Sequence, residues 1–444
     1  MGSCPRDHVT VGIVGGGIAG LGLSRMLELS GISYCLWEAH SQFAPPTGVS
    51  IGLMPNGLRI LDQLGMIEKF DEYDVERKAW EHRDGHGNLQ ANFNPSAIRE
   101  EKLGYGGIFM ERRRLLQILH GSIENKTRLY TSKRVVSVRQ TEQEAIIVSE
   151  DGSEVSCDFI AGADGIRSII RREIERTTFT IKSPESRFDA RYACTYGISN
   201  PVLGIEPGRS FTVYRPNVSL LIFCGHSGDV YWFMMRDLKR TIVYDKPERF
   251  LEKDIEALYA QVAETIVTDG VVFANIFRNK RTAIMTALEE GIAERFFFGR
   301  LFLLGDSAHK MVPHAAMGAN QALESAAAFV NILRSSRLQK GDCQSTRIPL
   351  SEVQSCLEQY ELRRRARATA ASQIATFACR AQLKIGPASD EYWANFPRMM
   401  GEEGIAKSLE SFCDAEMLEN WSMGSPRVAV YTAFVKANKR PSWG

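Results

Sequence analysis

Val9-Thr-Val-Gly-Ile-Val-Gly15-Gly-Gly17-Ile-Ala-Gly20 is a short β-branched run that leads into a glycine-rich turn. Such a run is typical of a buried parallel strand. From Ile18 to Ser30 the leucine and methionine side chains have helical spacing, and Gly31 stands where a helix would end. Residues 32–37 form a second apolar run. The stretch therefore predicts one strand–helix–strand unit of an α/β fold.

The turn fits the pattern G-x-G-x-x-G, which binds dinucleotides when it lies between a strand and a helix. Gly15 permits the tight turn, Gly17 lets a pyrophosphate approach the backbone, and Gly20 lets the helix pack on the strand. Glu38 follows the second strand, where a carboxylate can accept hydrogen bonds from ribose hydroxyls. The alternative is a structural glycine turn beside a surface glutamate. The full unit favours a dinucleotide, but the turn alone does not choose between NAD and FAD.

Charge and composition exclude several other classes of protein. The 444 residues include 54 Lys and Arg against 53 Asp and Glu, which gives no bulk attraction for nucleic acid or for an anionic membrane surface. The nine cysteines are scattered, so we expect no metal site, no disulfide framework and a reducing compartment. No apolar run is long enough for a transmembrane anchor. We therefore expect a cytoplasmic protein, either a monomer or a weak homodimer.

The middle and the end of the chain have different patterns. Alternating segments at 210–214, 219–224 and 230–235, separated by turn residues, predict an antiparallel sheet inserted between two halves of the nucleotide domain. Residues 320–333 and 351–384 have helical patterns. The second helix carries four arginines between 363 and 367, which we interpret as a solvated helix face rather than a nucleic-acid site.

Two further turns follow buried strands. Asp164-Gly165 follows the run that begins at Cys157, and Gly305-Asp306-Ser-Ala-His309 follows Leu301-Phe-Leu-Leu304. In this order, between about Val9 and Leu333, the three turns resemble the class A flavoprotein monooxygenases of the para-hydroxybenzoate hydroxylase type. The resemblance implies bound FAD, NAD(P)H as co-substrate, and insertion of one oxygen atom from O2 into a small organic molecule through a flavin hydroperoxide.

The same resemblance implies a domain organisation. A Rossmann-like FAD-binding domain would comprise residues 1–177 and 287–385, the second part including long helices. The antiparallel β-sheet of the substrate domain would occupy residues 178–286. A C-terminal helical tail would follow at 386–444.

The resemblance also implies roles for cofactor-binding residues. Glu38 would bind the adenosine ribose, Arg112 would lie near the FAD pyrophosphate, and Asp306 would bind the ribityl chain. The remaining residues would lie near the flavin ring or in the second nucleotide-binding turn: Gly52, Asp164, Gly318 and Ala319. Ala316 replaces a glycine that is frequent in the family, which leaves the local backbone path open.

Within this class, the segments 48–65, 111–116 and 305–311 are most similar to fungal enzymes of indole-diterpene and meroterpenoid metabolism. The resemblance implies epoxidation of a prenyl double bond, or hydroxylation, in secondary metabolism. An aromatic hydroxylase acting on a phenol or indole is one alternative. A non-catalytic flavoprotein that serves as a redox sensor is another.

Two residues are candidates for catalysis. Arg191, at the predicted domain junction, could stabilise negative charge on oxygen, and its alternative is a surface arginine paired with Asp189. Tyr214, on a predicted strand, could donate a proton, or it could be a packed core tyrosine. For His309 and His314 a structural role is expected, and the aromatic set at 231–233 is expected in the core rather than around a substrate.

Overall fold

A computed structural model of the chain describes residues 8–45, 50–78, 80–178, 188–338, 347–399 and 401–438. Gly48 and Val49, which open one of the segments that carry the resemblance, lie outside these ranges, as do residues 439–444 of the predicted tail.

The strands of the described residues are, in chain order, β1 (His8–Val14), β2 (Tyr34–Trp37), β3 (Ser50–Leu53), β4 (Trp80–Asp84), β5 (Leu89–Phe93), β6 (Ile108–Glu111), β7 (Leu129–Tyr130), β8 (Val135–Gln140), β9 (Ala145–Ser149), β10 (Glu154–Gly162), β11 (Ala190–Ser199), β12 (Ser210–Tyr214), β13 (Val218–Cys224), β14 (Val230–Ile242), β15 (Ile266–Thr268), β16 (Val271–Val272), β17 (Lys280–Glu289), β18 (Gly291–Ile292), β19 (Phe297–Phe298), β20 (Leu301–Leu303) and β21 (His309–Lys310).

The α-helices are α1 (Ile18–Leu29), α2 (Pro55–Gln63), α3 (Ile67–Asp71), α4 (Pro95–Leu103), α5 (Arg112–Ser122), α6 (Ile169–Thr178), α7 (Glu252–Tyr259), α8 (Phe273–Arg278), α9 (Gly318–Leu338), α10 (Leu350–Gln382), α11 (Pro387–Met399), α12 (Glu402–Glu410) and α13 (Pro426–Asn438). Short 3-10 turns cover Gly305–Ser307 and Pro313–Ala315.

The larger sheet is built on the predicted strand–helix–strand unit. Its order is β19-β20-β10-β1-β2-β7, with β20, β10, β1, β2 and β7 parallel to one another. The strands β9 and β8 extend antiparallel beside β10. The leucines of α1 that face the sheet are fully buried, and Gly31 has a φ of +65° just after the helix. The predicted α/β fold is confirmed.

The second sheet has the order β17-β11-β14-β13-β12-β4-β5, and every pair is antiparallel except β12 with β4. Its last two strands come from residues 80–93, so the sheet is not confined to the predicted interval 178–286. The sequence of β4 gave no apolar alternation because two of its buried residues are charged. Glu81 and Arg83 form an ion pair with an N–O distance of 2.8 Å inside the fold.

Strand alternation divides the second sheet into two apolar faces. Trp232 points to one face, where it packs against Phe273 of α8 with ring centroids 5.4 Å apart. Phe223 and Phe233 point to the other face, together with Met311 and the middle of α10. Residues 231–233 are all buried in the core, as expected, but Phe233 also lines a cavity.

The arginines at 363–367 do not form a solvated helix face. Arg364 is fully buried, and both Arg364 and Arg367 bind Glu324 of α9, at N–O distances of 3.0 and 2.5 Å. Arg363 pairs with Glu416, which lies in the C-terminal part of the chain. That interpretation was wrong because the spacing of arginines along one helix does not reveal a carboxylate supplied by another element.

Across the ranges that the structure describes, no helix is long and apolar enough to cross a bilayer. The same residues contain no cluster of His, Cys, Asp and Glu side chains that could bind a metal ion.

Candidate active site

A cavity of about 770 Å³ lies between the turns and helices of the nucleotide domain and the second sheet, and both contribute residues to its wall. This size lies within the usual range of ligand pockets, about 300 to 1,000 Å³. The nucleotide domain supplies predicted cofactor residues to its wall, and these are Gly17, Gly52, Arg112, Asp306, Gly318 and Ala319. The second sheet supplies an apolar wall, which includes Leu221, Phe223, Phe233 and Met235.

The glycine turn has the geometry that a phosphate cradle requires. Gly15 has a φ of +104°, and a Cβ there would lie 2.5 Å from the carbonyl oxygen of Ala163. A Cβ on Gly20 would overlap the carbonyl oxygen of Gly15. A Cβ on Gly17 would meet no atom within 4 Å, because this residue faces the cavity. Two glycines are therefore needed for packing, and the third leaves open space at the N-terminus of α1.

Glu38 stabilises the same turn from the end of β2. Its Oε2 accepts a hydrogen bond from the Gly16 amide at 2.6 Å, and its Oε1 accepts one from the His40 amide at 2.8 Å. Each carboxylate oxygen can accept a further hydrogen bond. The partly exposed Glu38 can thus bind a hydroxyl group while it holds the turn.

Arg112 and Asp306 carry opposite charges in the cavity wall. Burial lowers the pKa of the Arg112 guanidinium, while Asp306 and Glu38 raise it. Burial alone would raise the pKa of Asp306, but the ammonium of Lys310, 2.6 Å from its Oδ2, brings that pKa below its ordinary value. Arg112 therefore lies within electrostatic reach of both Asp306 and Glu38, the other two residues named by the resemblance.

The start of α9 forms another part of the wall. A Cβ on Gly318 would meet no atom within 4 Å. The side-chain amide of Asn320 donates to the carbonyl oxygens of Gly52 at 3.2 Å and Ala316 at 2.5 Å. Ala316 has a φ of +52°, so it adopts the left-handed conformation that a glycine would adopt more easily. The sequence had left the backbone conformation at Ala316 open, and the structure shows that it is left-handed.

Asp164 has a structural role that the sequence did not predict. Its Oδ2 accepts hydrogen bonds from the amides of Ile169 at 2.7 Å and Ile170 at 3.4 Å, at the start of α6. Burial raises its pKa. Its neighbour Gly165 lines the cavity, whereas Asp164 is not among the lining residues. A direct contact between Asp164 and a cofactor stays a prediction.

Arg191 does not lie in the cavity wall, contrary to expectation. Its side chain is 51% exposed, and its Nε is 3.9 Å from Asp237 rather than paired with Asp189. The irregular register between Ala190 and Tyr192 lies at this point of β11. A role in catalysis would require the Arg191 side chain to leave Asp237 and turn toward the cavity.

Tyr214 is also absent from the residues that line the cavity. Its side chain is buried, its hydroxyl is 2.6 Å from Nδ1 of His82, and its ring packs edge-on against Trp393 at 4.5 Å. The structure therefore shows the packed core tyrosine that was the alternative. The sequence pattern predicted that Tyr214 lies on a strand, but it did not predict which part of the fold packs against its side chain.

The tyrosine that does line the cavity is Tyr196 of β11. Burial raises its pKa well above the ordinary value, and Asp306 is one of the charges that contribute to this shift. Its hydroxyl therefore stays protonated near neutral pH. Sequence analysis missed Tyr196 as well as Lys310, Arg77 and Arg99, which line the same cavity. Alternation along β11 from Tyr192 would have placed Tyr196 on the same face.

These residues fit FAD. The open glycine positions and Arg112 suit a pyrophosphate, because exposed amides at a helix N-terminus and a guanidinium both bind phosphate oxygens. The carboxylates of Glu38 and Asp306 suit the hydroxyl groups of the ribose and the ribityl chain.

Replacing Glu38 by alanine should weaken FAD binding about ten- to a hundredfold, because a charged hydrogen-bond acceptor contributes about 1.5–3 kcal/mol. Titration of the apoprotein with FAD measures the effect. Glu68→Ala, at an exposed position of α3, is the control. Equal affinities in the two variants would mean that Glu38 accepts the amide hydrogen bonds of the turn but binds no cofactor hydroxyl.

A family model described as an FAD binding domain matches residues 8–375, which is most of the chain. The FAD-dependent monooxygenase ausM of Aspergillus calidoustus is 35% identical over 334 residues, which cover 75% of this chain and 72% of that protein. The FAD-dependent monooxygenase penM of Penicillium crustosum is 34% identical over 384 residues, which cover 86% and 80%.

Solved structures share the fold. HpxO of Klebsiella pneumoniae, complexed with FAD and uric acid, matches with a TM-score of 0.72 at 20% identity, over 91% of this chain and 97% of that chain. The p-nitrophenol 4-monooxygenase PnpA of Pseudomonas putida has a TM-score of 0.72 at 16% identity, with the same coverage of 91% and 97%. The family match and the fungal relatives show the family by sequence, and the solved structures share its fold. The protein belongs to the FAD-dependent monooxygenases.

Proposed function

We propose that this protein inserts one oxygen atom from O2 into an organic substrate of fungal secondary metabolism, by epoxidation of a prenyl double bond. The observation that carries the proposal is that one cavity joins the residues that fit FAD to an apolar, aromatic wall of the second sheet. Bound FAD, reduced by NAD(P)H, supplies the electrons and the reaction with oxygen.

The second sheet positions the substrate. The rings of Phe109 and Phe223 are stacked with centroids 3.9 Å apart, and Phe233 meets each of them edge-on. This wall offers apolar and π contacts but few polar groups, which suits a prenyl chain and excludes water from the reacting atoms.

Tyr196 and the Asp306–Lys310 pair are polar groups that line the same cavity. The Tyr196 hydroxyl remains protonated and can donate a hydrogen bond to an oxygen atom as negative charge develops on it. Lys310 neutralises Asp306 locally, so that this carboxylate can accept hydrogen bonds from a cofactor hydroxyl without leaving an uncompensated charge in the wall.

A second candidate function is hydroxylation of a phenol or an indole. The stacked rings of Phe109 and Phe223 favour it, since a flat ring binds against such a wall as well as a prenyl group does. We further propose that the protein acts in the cytoplasm as a monomer or weak homodimer. In the described part of the chain, Cys35, Cys157, Cys194, Cys224 and Cys379 are buried free thiols, which supports a reducing compartment.

The test is a reaction under oxygen-18 gas with NAD(P)H and a panel of prenylated phenols and indoles. We expect one labelled oxygen atom in the product, and fragmentation should place it on the prenyl double bond. A label on the ring would favour the aromatic hydroxylase. NAD(P)H consumption with no labelled product from any member would contradict both, and would favour a flavoprotein without oxygenase activity.

A further inference from the structure

Arg99 is a cation in the cavity wall for which the described residues provide no counter-ion. It lies on α4 and lines the cavity together with Ser96 of the same helix. Among the residues that the structure describes, no carboxylate forms an ion pair with its guanidinium, and burial lowers its pKa to about 10. It therefore remains charged near neutral pH in a place where charge is poorly solvated.

Arg77 stands in the same wall. Its Nη2 donates to the carbonyl oxygen of Gly107 at 3.1 Å, while its Nε is buried without a hydrogen-bond partner among the described residues. Asn94, just before α4, links the start of the helix that carries Arg99 to the backbone of Arg77. Its Oδ1 accepts from the amide of Ala97, and its side-chain amide donates to the backbone carbonyl of Arg77. Burial lowers the pKa of Arg77, while the charges of Asp74 and Glu100 raise it.

The other cations of the wall already have partners. Lys310 pairs with Asp306, and Arg367 pairs with Glu324. Arg112 is the one that fits the FAD pyrophosphate. Arg99 and Arg77 are both partly exposed at the cavity. A partly desolvated cation without an ion-pair partner is stabilised when a ligand brings an anion to it. Arg99 and Arg77 are therefore the two cations left to bind one.

We propose that Arg99, supported by Arg77, forms a subsite for an anionic oxygen group of the ligand, either a carboxylate on the organic substrate or a phosphate of NAD(P)H. The aromatic neighbours Trp80 and Phe109 line the cavity beside it. The subsite thus suits a molecule with an apolar body and an acidic end. The proposal rests on the proposed function only in taking this cavity as the place where substrate and reductant bind.

The first experiment titrates the FAD-loaded protein with 2-naphthoate and with its uncharged methyl ester, and follows binding by calorimetry. We expect the wild-type protein to bind the acid at least about tenfold more tightly than the ester, and Arg99→Gln to lose this preference. Arg99→Lys should keep most of it because the charge is retained. Arg240→Gln, at a half-exposed position paired with Glu248, is the control and should match the wild type.

The second experiment measures flavin reduction in a single turnover at increasing NADPH. If the anion is a substrate carboxylate, the NADPH dependence of Arg99→Gln equals that of the wild type. If it is a phosphate of the reductant, the half-saturating NADPH concentration rises about tenfold or more, and the naphthoate preference is absent from both proteins. An Arg99→Gln protein with normal FAD content that differs from the wild type in neither experiment would overturn the subsite. A wild-type protein that contains no FAD, or that does not oxidise NADPH, would instead contradict the proposed function.

Discussion

Gly20→Ala is expected to reduce FAD affinity by at least about a hundredfold, which corresponds to about 2.7 kcal/mol. The added Cβ would overlap the carbonyl oxygen of Gly15, so the turn and the N-terminus of α1 cannot both keep their positions. The amides that would bind the pyrophosphate move with them. The measurement is the FAD content of the purified variant, followed by titration of the apoprotein with FAD.

Two matched alanine variants separate cofactor binding from folding. Gly121→Ala makes the same chemical change on α5, where the new Cβ meets no atom within 4 Å, and should bind FAD as the wild type does. Gly17→Ala also meets no protein atom, so the protein should fold normally, but the methyl group would occupy the space proposed for the pyrophosphate. Normal FAD affinity in both Gly17→Ala and Gly20→Ala would contradict the assignment of the turn.

The second large effect concerns Glu324, which is fully buried between α9, α10 and α2. It accepts hydrogen bonds from Arg364, Arg367 and Asn56, the last at 2.6 Å. Glu324→Ala leaves two guanidinium groups without their carboxylate, and loss of one partner of a buried ion pair costs about 3–5 kcal/mol. Urea or thermal unfolding at neutral pH should show this loss. Glu358→Ala, at an exposed position on α10, is the control and should change the free energy of unfolding by less than about 0.5 kcal/mol.

The same carboxylate predicts how stability depends on pH. Burial alone would raise the pKa of Glu324, but Arg367 and Arg364 lower it from the ordinary 4.5 to about 2. The folded state therefore binds this proton less readily than the unfolded state does. The stabilisation is complete above about pH 4.5 and is lost as the pH falls toward 2. The difference in unfolding free energy between wild type and Glu324→Ala should narrow over this interval, and a constant difference would contradict the assigned pairing.

Hydrophobic patterns within short stretches of the sequence predicted the strands and helices that those stretches form. The continuous β-branched run in β1 and the helical spacing in α1 both reflect burial in one core, so the strand–helix–strand unit could be predicted from residues 9–37 alone. The resemblance then identified Arg112 and Asp306, which the structure brings to one cavity.

Contacts between distant residues could not be predicted in this way. The charged pair Glu81–Arg83 gives β4 no apolar pattern, although the strand lies between β12 and β5 in the second sheet. The partner of Arg364 lies on another helix. Strand periodicity separates two faces but does not say which face meets the cavity, and for that reason Tyr214 was considered for catalysis and Tyr196 was not.

The central claim is that the cavity bordered by the glycine turn, Arg112 and Asp306 binds FAD. The most direct test counts FAD released from the purified, denatured protein, and compares it with the protein concentration. The account predicts a yellow protein with one FAD per chain, and a Gly20→Ala variant prepared in the same way that has lost most of it. A colourless wild-type protein that also takes up no added FAD would contradict the claim.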